Sequence, residues 1–209
     1  MTSIKIFFLS PLPIVRAHRR ALGVLAAVSF GAFLVGVLAT LFVPELRPGG
    51  LGAIQGSADT PGVGSLVGDA YRSGNVAVAA AVTLAVNLFL ASLLQTTLPT
   101  LIVPFLGVVI TVLRSLFWGV LFTPFGAEDP HFLVHWVTLV IEGAAYLVVA
   151  FAAWVQGRYF VQPQRFGFAT RRAGYLAGLK ATSRLYILVI VLLIVGAIYE
   201  AVTVIHVIA

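Results

Sequence analysis

The sequence contains no cysteine, and only 10% of its residues are Asp, Glu, Lys or Arg. The missing cysteines exclude disulfide bonds, thiolate zinc sites and a cysteine nucleophile. Folded water-soluble domains have about 25% charged and about 45–50% apolar residues, whereas this chain is 60% hydrophobic. A core of this size cannot hide so much apolar surface from water. The composition therefore excludes an ordinary cytoplasmic enzyme, a secreted domain and a disordered chain, and indicates a polytopic membrane protein.

Long apolar runs divide the chain into five segments that meet the length needed to cross a bilayer, about 20 helical residues. We predict spans at 21–43, 75–98, 99–123, 131–156 and 185–208. The runs are continuous rather than alternating in polarity, and this favours helices over the strands of a barrel. The predicted fold class is therefore all-α, a polytopic transmembrane helix bundle with five spans.

Three segments of different composition precede or connect these spans. Residues 1–20 are predicted to lie along the cytoplasmic membrane surface, because Pro11 and Pro13 interrupt their short apolar run. Residues 44–74 are rich in glycine and lack a phosphate-binding motif, so they form either a flexible extracytoplasmic connector or a lid or docking loop. Residues 157–184 alternate aromatic and basic side chains, which predicts a cytoplasmic linker in the headgroup layer.

The basic residues are concentrated in two segments of the chain. Ten of the 13 lie in 1–20 and 157–184, which five spans place on the same side. The positive-inside rule makes that side cytoplasmic, with the N-terminus inside and the C-terminus outside. Because these cations flank helix ends, we expect anionic lipids rather than nucleic acid as their partner. The residues expected to contact lipid headgroups are Arg16, Arg19, Arg20, Arg171, Arg172, Lys180 and Arg184.

Polar side chains interrupt four of the predicted spans. An ionisable group at a helix centre costs about 2.5–3.5 kcal/mol on the insertion scale, so it should have a partner. Counting about 1.5 Å per residue places an arginine and two glutamates at one depth, and a histidine two turns from one of these acids. We predict that the arginine pairs with one or both glutamates. The predicted intramembrane cluster comprises Arg114, Glu142, Glu200, His135 and Asn87.

This cluster has two interpretations. It is either a buried ion pair that fixes helix register, or a functional centre such as a proton relay, a substrate site or a gate. A metal site is disfavoured, because Arg114 at the same depth would repel a cation. The sequence has no His-Glu-x-x-His motif, no pair of aspartates within the spans and no ATP-binding motif. We therefore predict a protein that is not an enzyme and that uses no metal and no cofactor.

Several of these features occur together in a known family. An apolar span opening at Asn75 is followed by a proline-bounded span, a helix with His135 and Glu142 followed by Gly and Ala, a basic linker, and the sequence Ile-Tyr-Glu-Ala around Glu200. This pattern resembles the stage II sporulation protein M family of integral membrane proteins, over about residues 75–204. The resemblance implies a non-enzymatic protein that holds partner proteins at the membrane, as the namesake does with peptidoglycan-degrading enzymes.

Three functions follow from this combination. The leading one is a scaffold or assembly component of a plasma-membrane complex, in a bacterial or archaeal cell membrane. The alternatives are a small transporter or permease subunit that uses the Arg-Glu-Glu centre, and an accessory subunit of a larger energy-converting membrane complex. The expected partners are other membrane proteins, anionic lipids, or further copies of the same chain.

Overall fold

The computed structural model describes residues 11–46, 62–125 and 132–208, and every regular element in these ranges is helical. Outside the described residues lie 1–10 of the predicted surface segment at 1–20, 47–61 of the predicted glycine-rich loop at 44–74, and 126–131. The helices are α1 (Leu12–Ala17), α2 (Arg19–Phe42), α3 (Val63–Arg72), α4 (Val76–Ile102), α5 (Leu106–Leu121), α6 (Phe132–Val161) and α7 (Arg171–Thr203). Single 3-10 turns, Pro44–Leu46 and Pro163–Phe166, follow α2 and α6.

Four helices in the described ranges are long and apolar enough to cross a membrane: Arg19–Phe42, Val76–Ile102, His135–Val161 and Arg171–Val207. This confirms the predicted all-α class, and the described residues contain four candidate membrane spans. The remaining apolar helix, α5, has 16 residues, which gives it a length of about 24 Å.

The connection between the second and third predicted spans lies later than expected. Helix α4 continues through Pro99 to Ile102, because Pro99 occupies the start of a new α-helical turn, where the missing amide donor costs little. The chain reverses at 103–105, where Phe105 adopts a left-handed backbone conformation with φ of 68°. Its ring lies directly against Gly157 of α6, at 2.7 Å from the place a Cβ would occupy.

The predicted linker at 157–184 is mostly helical in the structure. Helix α6 extends to Val161 and α7 begins at Arg171, so only 162–170 connects them. Thr170 caps α7 by accepting a hydrogen bond from the backbone amide of Ala173 at 3.1 Å. The seven basic residues expected at lipid headgroups are all exposed.

The core lies between α6 and α7, which run antiparallel. Phe151 and Val155 of α6 and Leu185 of α7 are fully buried in a cluster that α2 joins through Leu25. A second cluster contains Val149 and Leu193, together with other side chains of both helices. Since apolar contact with lipid is available everywhere around the bundle, packing of this kind rather than removal from water holds the helices together.

Helices α2 and α5 approach so closely that their backbones touch. A Cβ at Gly36 would collide with the carbonyl oxygen of Leu116, and a Cβ at Gly119 would collide with the carbonyl oxygen of Phe33. Further along, the hydroxyl of Thr40 donates to the hydroxyl of Thr123 at 2.7 Å. The C-terminal ends of α2 and α5 therefore lie at the same level.

The junction of α1 and α2 contains His18, which aromatic rings surround. Its Nε2 lies 3.2 Å from the hydroxyl of Tyr159, and its ring centroid is 5.4 Å from Trp154 and 5.7 Å from Phe166. Burial, and then the guanidinium of Arg158, lower the pKa of His18 below its ordinary value. This histidine is therefore neutral over a wider pH range in the folded protein than in the unfolded chain.

We expect this histidine to reduce stability in mild acid. Below pH of about 6.5 the unfolded chain binds the proton first, so the unfolding temperature in detergent should fall as pH decreases towards the lower pKa of the folded state. The substitution His18→Gln should flatten this decline, whereas His206→Gln, at an exposed position near the end of the chain, should leave it unchanged. An identical decline in the His18→Gln variant would contradict this assignment.

Candidate functional site

The site is built around a widened stretch of α4. Residues Val86–Thr97 form a π-helix, a rare geometry that often marks functional positions. The hydroxyl of Ser92 donates to the carbonyl of Asn87 at 2.8 Å, and that of Thr96 donates to the carbonyl of Ala91 at 2.7 Å. Both bonds span five residues, the spacing of the π-helical backbone. The stretch therefore presents amide, hydroxyl and carbonyl groups from one helix to its neighbours.

Asn87 connects α4 to α6 with both ends of its amide. Its Nδ2 donates to Oε1 of Glu142 at 2.5 Å, and its Oδ1 accepts from the hydroxyl of Tyr146 at 2.9 Å. Glu142 and Tyr146 are four residues apart, so they lie on one face of α6. These bonds bring Asn87 and Glu142 of the predicted cluster together, and Tyr146 is an additional member that the sequence analysis did not identify.

Glu200 of α7 faces the same point. Gly196 lies one turn before it, and a Cβ at Gly196 would be 3.4 Å from Cγ of Glu142. The two carboxyl groups are close enough that the charge of one acts on the other. The two acids therefore converge from different helices, as their common depth predicts.

Helix α3 completes the site from within the segment predicted as a loop. The hydroxyl of Tyr71 lies 3.0 Å from Oγ1 of Thr83, and the carboxylate of Glu200 lies near it. Burial, and then the nearby charge of Glu200, raise the pKa of Tyr71 above its ordinary value, so this tyrosine stays protonated and can donate. Apolar side chains three and four residues apart, from Val63 to Ala70, are the signal that predicts a packed helix here.

Arg114 does not pair with either glutamate, and this part of the prediction is wrong. Its Nη2 donates to Oε1 of Gln95 at 3.0 Å and to the carbonyl of Ala91 at 3.3 Å. Its guanidinium carbon lies 4.6 Å from the ring centroid of Tyr146, in a cation–π contact. The reason is the rotation of α5, which turns Arg114 towards the π-helical stretch and places the ring of Tyr146 beside it.

His135 lies at the outer edge of the cluster. It precedes Glu142 by seven residues, about 10 Å along the axis of α6. Within the described residues, no group of three His, Asp or Glu side chains is arranged to hold a metal ion.

A cavity of about 230 Å³ lies on the other side of Tyr146, between α2, α5 and α6. Its walls are largely apolar, with Phe30 and Phe33 from α2, Trp118 from α5, and Trp136 from α6. Arg114 also lines it, so the arginine stands between the cavity and the hydrogen-bonded acids.

Comparison with models of protein families, with curated proteins and with solved structures finds no match to this chain. A function for this chain is therefore inferred from the residues of the site themselves. Hydrogen bonds join Glu142, Asn87 and Tyr146, and the guanidinium of Arg114 contacts the ring of Tyr146. Glu200 lies near Glu142, and Tyr71 lies near Glu200. Of these groups, the two carboxyl groups can hold and exchange a proton, and the amide of Asn87 orients Glu142.

Proposed function

We propose that the protein is a proton-coupled membrane carrier, or the carrier subunit of a larger complex, in which Glu142 and Glu200 hold the coupling proton. One observation supports this most strongly: Glu142 and Glu200 come from different helices to within range of each other's charge, and in the described structure Arg114, the cation within the bundle, contacts neither. Two negative charges so close together in a low-dielectric interior repel each other strongly. The least costly state of the pair is one carboxylate and one carboxylic acid that share a proton.

The hydrogen bonds around the pair support a relay rather than an isolated acid. Tyr71 contacts the pair from α3, outside the membrane-crossing helices, and Asn87 contacts it from α4. Tyr146 continues the series towards the cavity. A proton on this pair therefore has polar neighbours on two sides, as a transport path through a helix bundle requires.

In this proposal α5 also crosses the membrane, as the third of five spans, with the N-terminus in the cytoplasm and the C-terminus outside. The bond between Thr40 and Thr123 supports the crossing, because it brings the far end of α5 level with the far end of α2. The opposite end of α5 begins beside Gly157, near the inner end of α6. A short helix together with the connecting residues at both ends can thus cover the full thickness.

Infrared spectroscopy of the purified protein tests the proposal directly. We expect a C=O stretching band from a protonated carboxyl group at neutral pH, which shifts within seconds in D₂O because the relay exchanges its proton. The substitution Glu142→Gln should remove this band, while Glu45→Gln, at an exposed position in a 3-10 turn, should leave it intact. A folded protein without the band would overturn the proposal.

The second candidate is the scaffold function that the sporulation-family resemblance implies. It is favoured by the packing of Glu142 against Gly196, outside the residues that line the cavity. If the acids only fix helix register, the carboxyl band should persist in D₂O for hours. Slow exchange together with a marked loss of thermal stability in Glu142→Gln would therefore favour the scaffold over the carrier.

A further inference from the structure

The cavity between α2, α5 and α6 contains polar atoms that no described residue satisfies. Nη1 of Arg114 and Oγ of Ser29 are both buried without a hydrogen-bond partner in the described structure, and both residues line the cavity. A buried donor without an acceptor costs about 1–3 kcal/mol, and more when it is charged. Two such groups on the wall of one apolar cavity indicate a ligand that supplies acceptor oxygens.

The charge of the wall defines the chemistry of that ligand. Arg114 has neutral partners on α4 and α6, which are a glutamine, a carbonyl, a threonine and an aromatic ring, so its positive charge is not compensated. Of the residues that line the cavity, it alone carries a charge. A ligand with a single negative charge would balance it, whereas a dianion would leave an excess negative charge in a low-dielectric site.

The shape of the cavity requires an apolar body behind the anionic group. Its volume of about 230 Å³ corresponds to roughly eight water molecules, enough for a headgroup and the first part of a chain. The side chains of Phe30 and Val140 line it and are 62% and 68% exposed, so the cavity opens on the outer surface of the bundle. In a membrane this opening faces lipid, from which a long chain can enter sideways.

We propose that this cavity binds a single-chain lipophilic carboxylate, with its carboxylate between Arg114 and Ser29 and its acyl chain extending between α2 and α6 towards lipid. The aromatic walls contact the first carbons of the chain. This site is separate from the acid pair, since Glu142 and Glu200 do not line it.

Tryptophan fluorescence provides the test, because Trp118 and Trp136 line the cavity and Trp154 does not. In a Trp154→Phe background, dodecanoate with a terminal bromine should quench the fluorescence saturably in detergent at pH of about 8, where a carboxylate is ionised. The matching bromododecanol, which lacks the charge, should quench only weakly and without saturation. Equal binding of acid and alcohol would overturn the proposal.

Variants of the cavity wall make the test specific. Loss of a hydrogen bond to a charged group corresponds to at least about a tenfold change in affinity, so Arg114→Gln should raise the Kd for the brominated acid by at least that factor. Ser29→Ala, a smaller change that keeps the helix intact, should raise the Kd by about threefold. Arg158→Gln, at a cation outside the cavity, should have no effect. An unchanged Kd in both Arg114→Gln and Ser29→Ala would refute the site.

Binding of the brominated acid to the cavity does not depend on whether Glu142 and Glu200 hold a proton. Glu142→Gln should abolish the carboxyl infrared band and leave binding of the brominated acid within about twofold of the original. Failure of the carrier proposal and failure of the ligand site therefore give different results.

Discussion

The substitution Gly36→Ala should destabilise the protein by about 3 kcal/mol, the upper part of the range for overpacking a core. The added methyl group would collide with the backbone carbonyl of Leu116, and it would also lie 3.0 Å from the Cα atom of Gly119. Backbone atoms cannot rotate away as the end of a long side chain can. The only response is to move α2 and α5 apart, which separates surfaces that interlock along much of both helices. A denaturant titration of the protein in detergent measures this loss as a decrease in the free energy of unfolding.

The same helix provides a matched control. Gly31 lies five residues earlier on α2, and nothing occupies the 4 Å around the place where its Cβ would be. Because alanine is the better helix former, Gly31→Ala should be neutral or stabilising by up to about 1 kcal/mol. The two substitutions add the same methyl group to the same helix, so opposite signs isolate the contact with α5. Equal effects would mean that α2 and α5 do not cross here.

Replacing Asn87 by leucine should cost about 2 kcal/mol, because it removes the partners of both Glu142 and the hydroxyl of Tyr146. Interhelical hydrogen bonds in membranes average about 0.6 kcal/mol, but here one side chain serves two groups, and one of them is a carboxyl. Leucine has the same branching and the same number of heavy side-chain atoms and leaves no space empty, so a loss reflects the missing bonds rather than a cavity. Thermal unfolding followed by circular dichroism measures it.

A double substitution measures the contribution of the hydrogen bond between Asn87 and Glu142 separately from the effects of each single change. If Glu142 is also replaced by leucine in the Asn87→Leu protein, no polar group is left without a partner at this point, and part of the lost stability should return. The coupling energy between Asn87 and Glu142 is the difference between the double change and the sum of the single changes. A coupling energy of zero would show that the bond between them contributes nothing.

The depth of the polar residues was predictable from the sequence, but their pairing was not. Counting residues along each helix places Glu142, Glu200 and Arg114 at a similar level. Each step along a helix also rotates the side chain by about 100°, so equal depth does not determine which residues face each other. The π-helical stretch of α4 changes this rotation further. As a result Glu142 contacts Asn87 and lies within range of the charge of Glu200, while Arg114 contacts Tyr146 and Gln95.

Composition and hydropathy by themselves determined that the chain folds as helices and that several of them suit a membrane, because these properties belong to each segment alone. The tertiary structure decided the rest. It extended α7 back to Arg171 through the predicted linker, formed α3 within the predicted loop, and brought Tyr71 to Glu200. These outcomes depend on contacts between residues far apart in the chain, since a side chain finds its partner only when two helices are set at a particular rotation and separation.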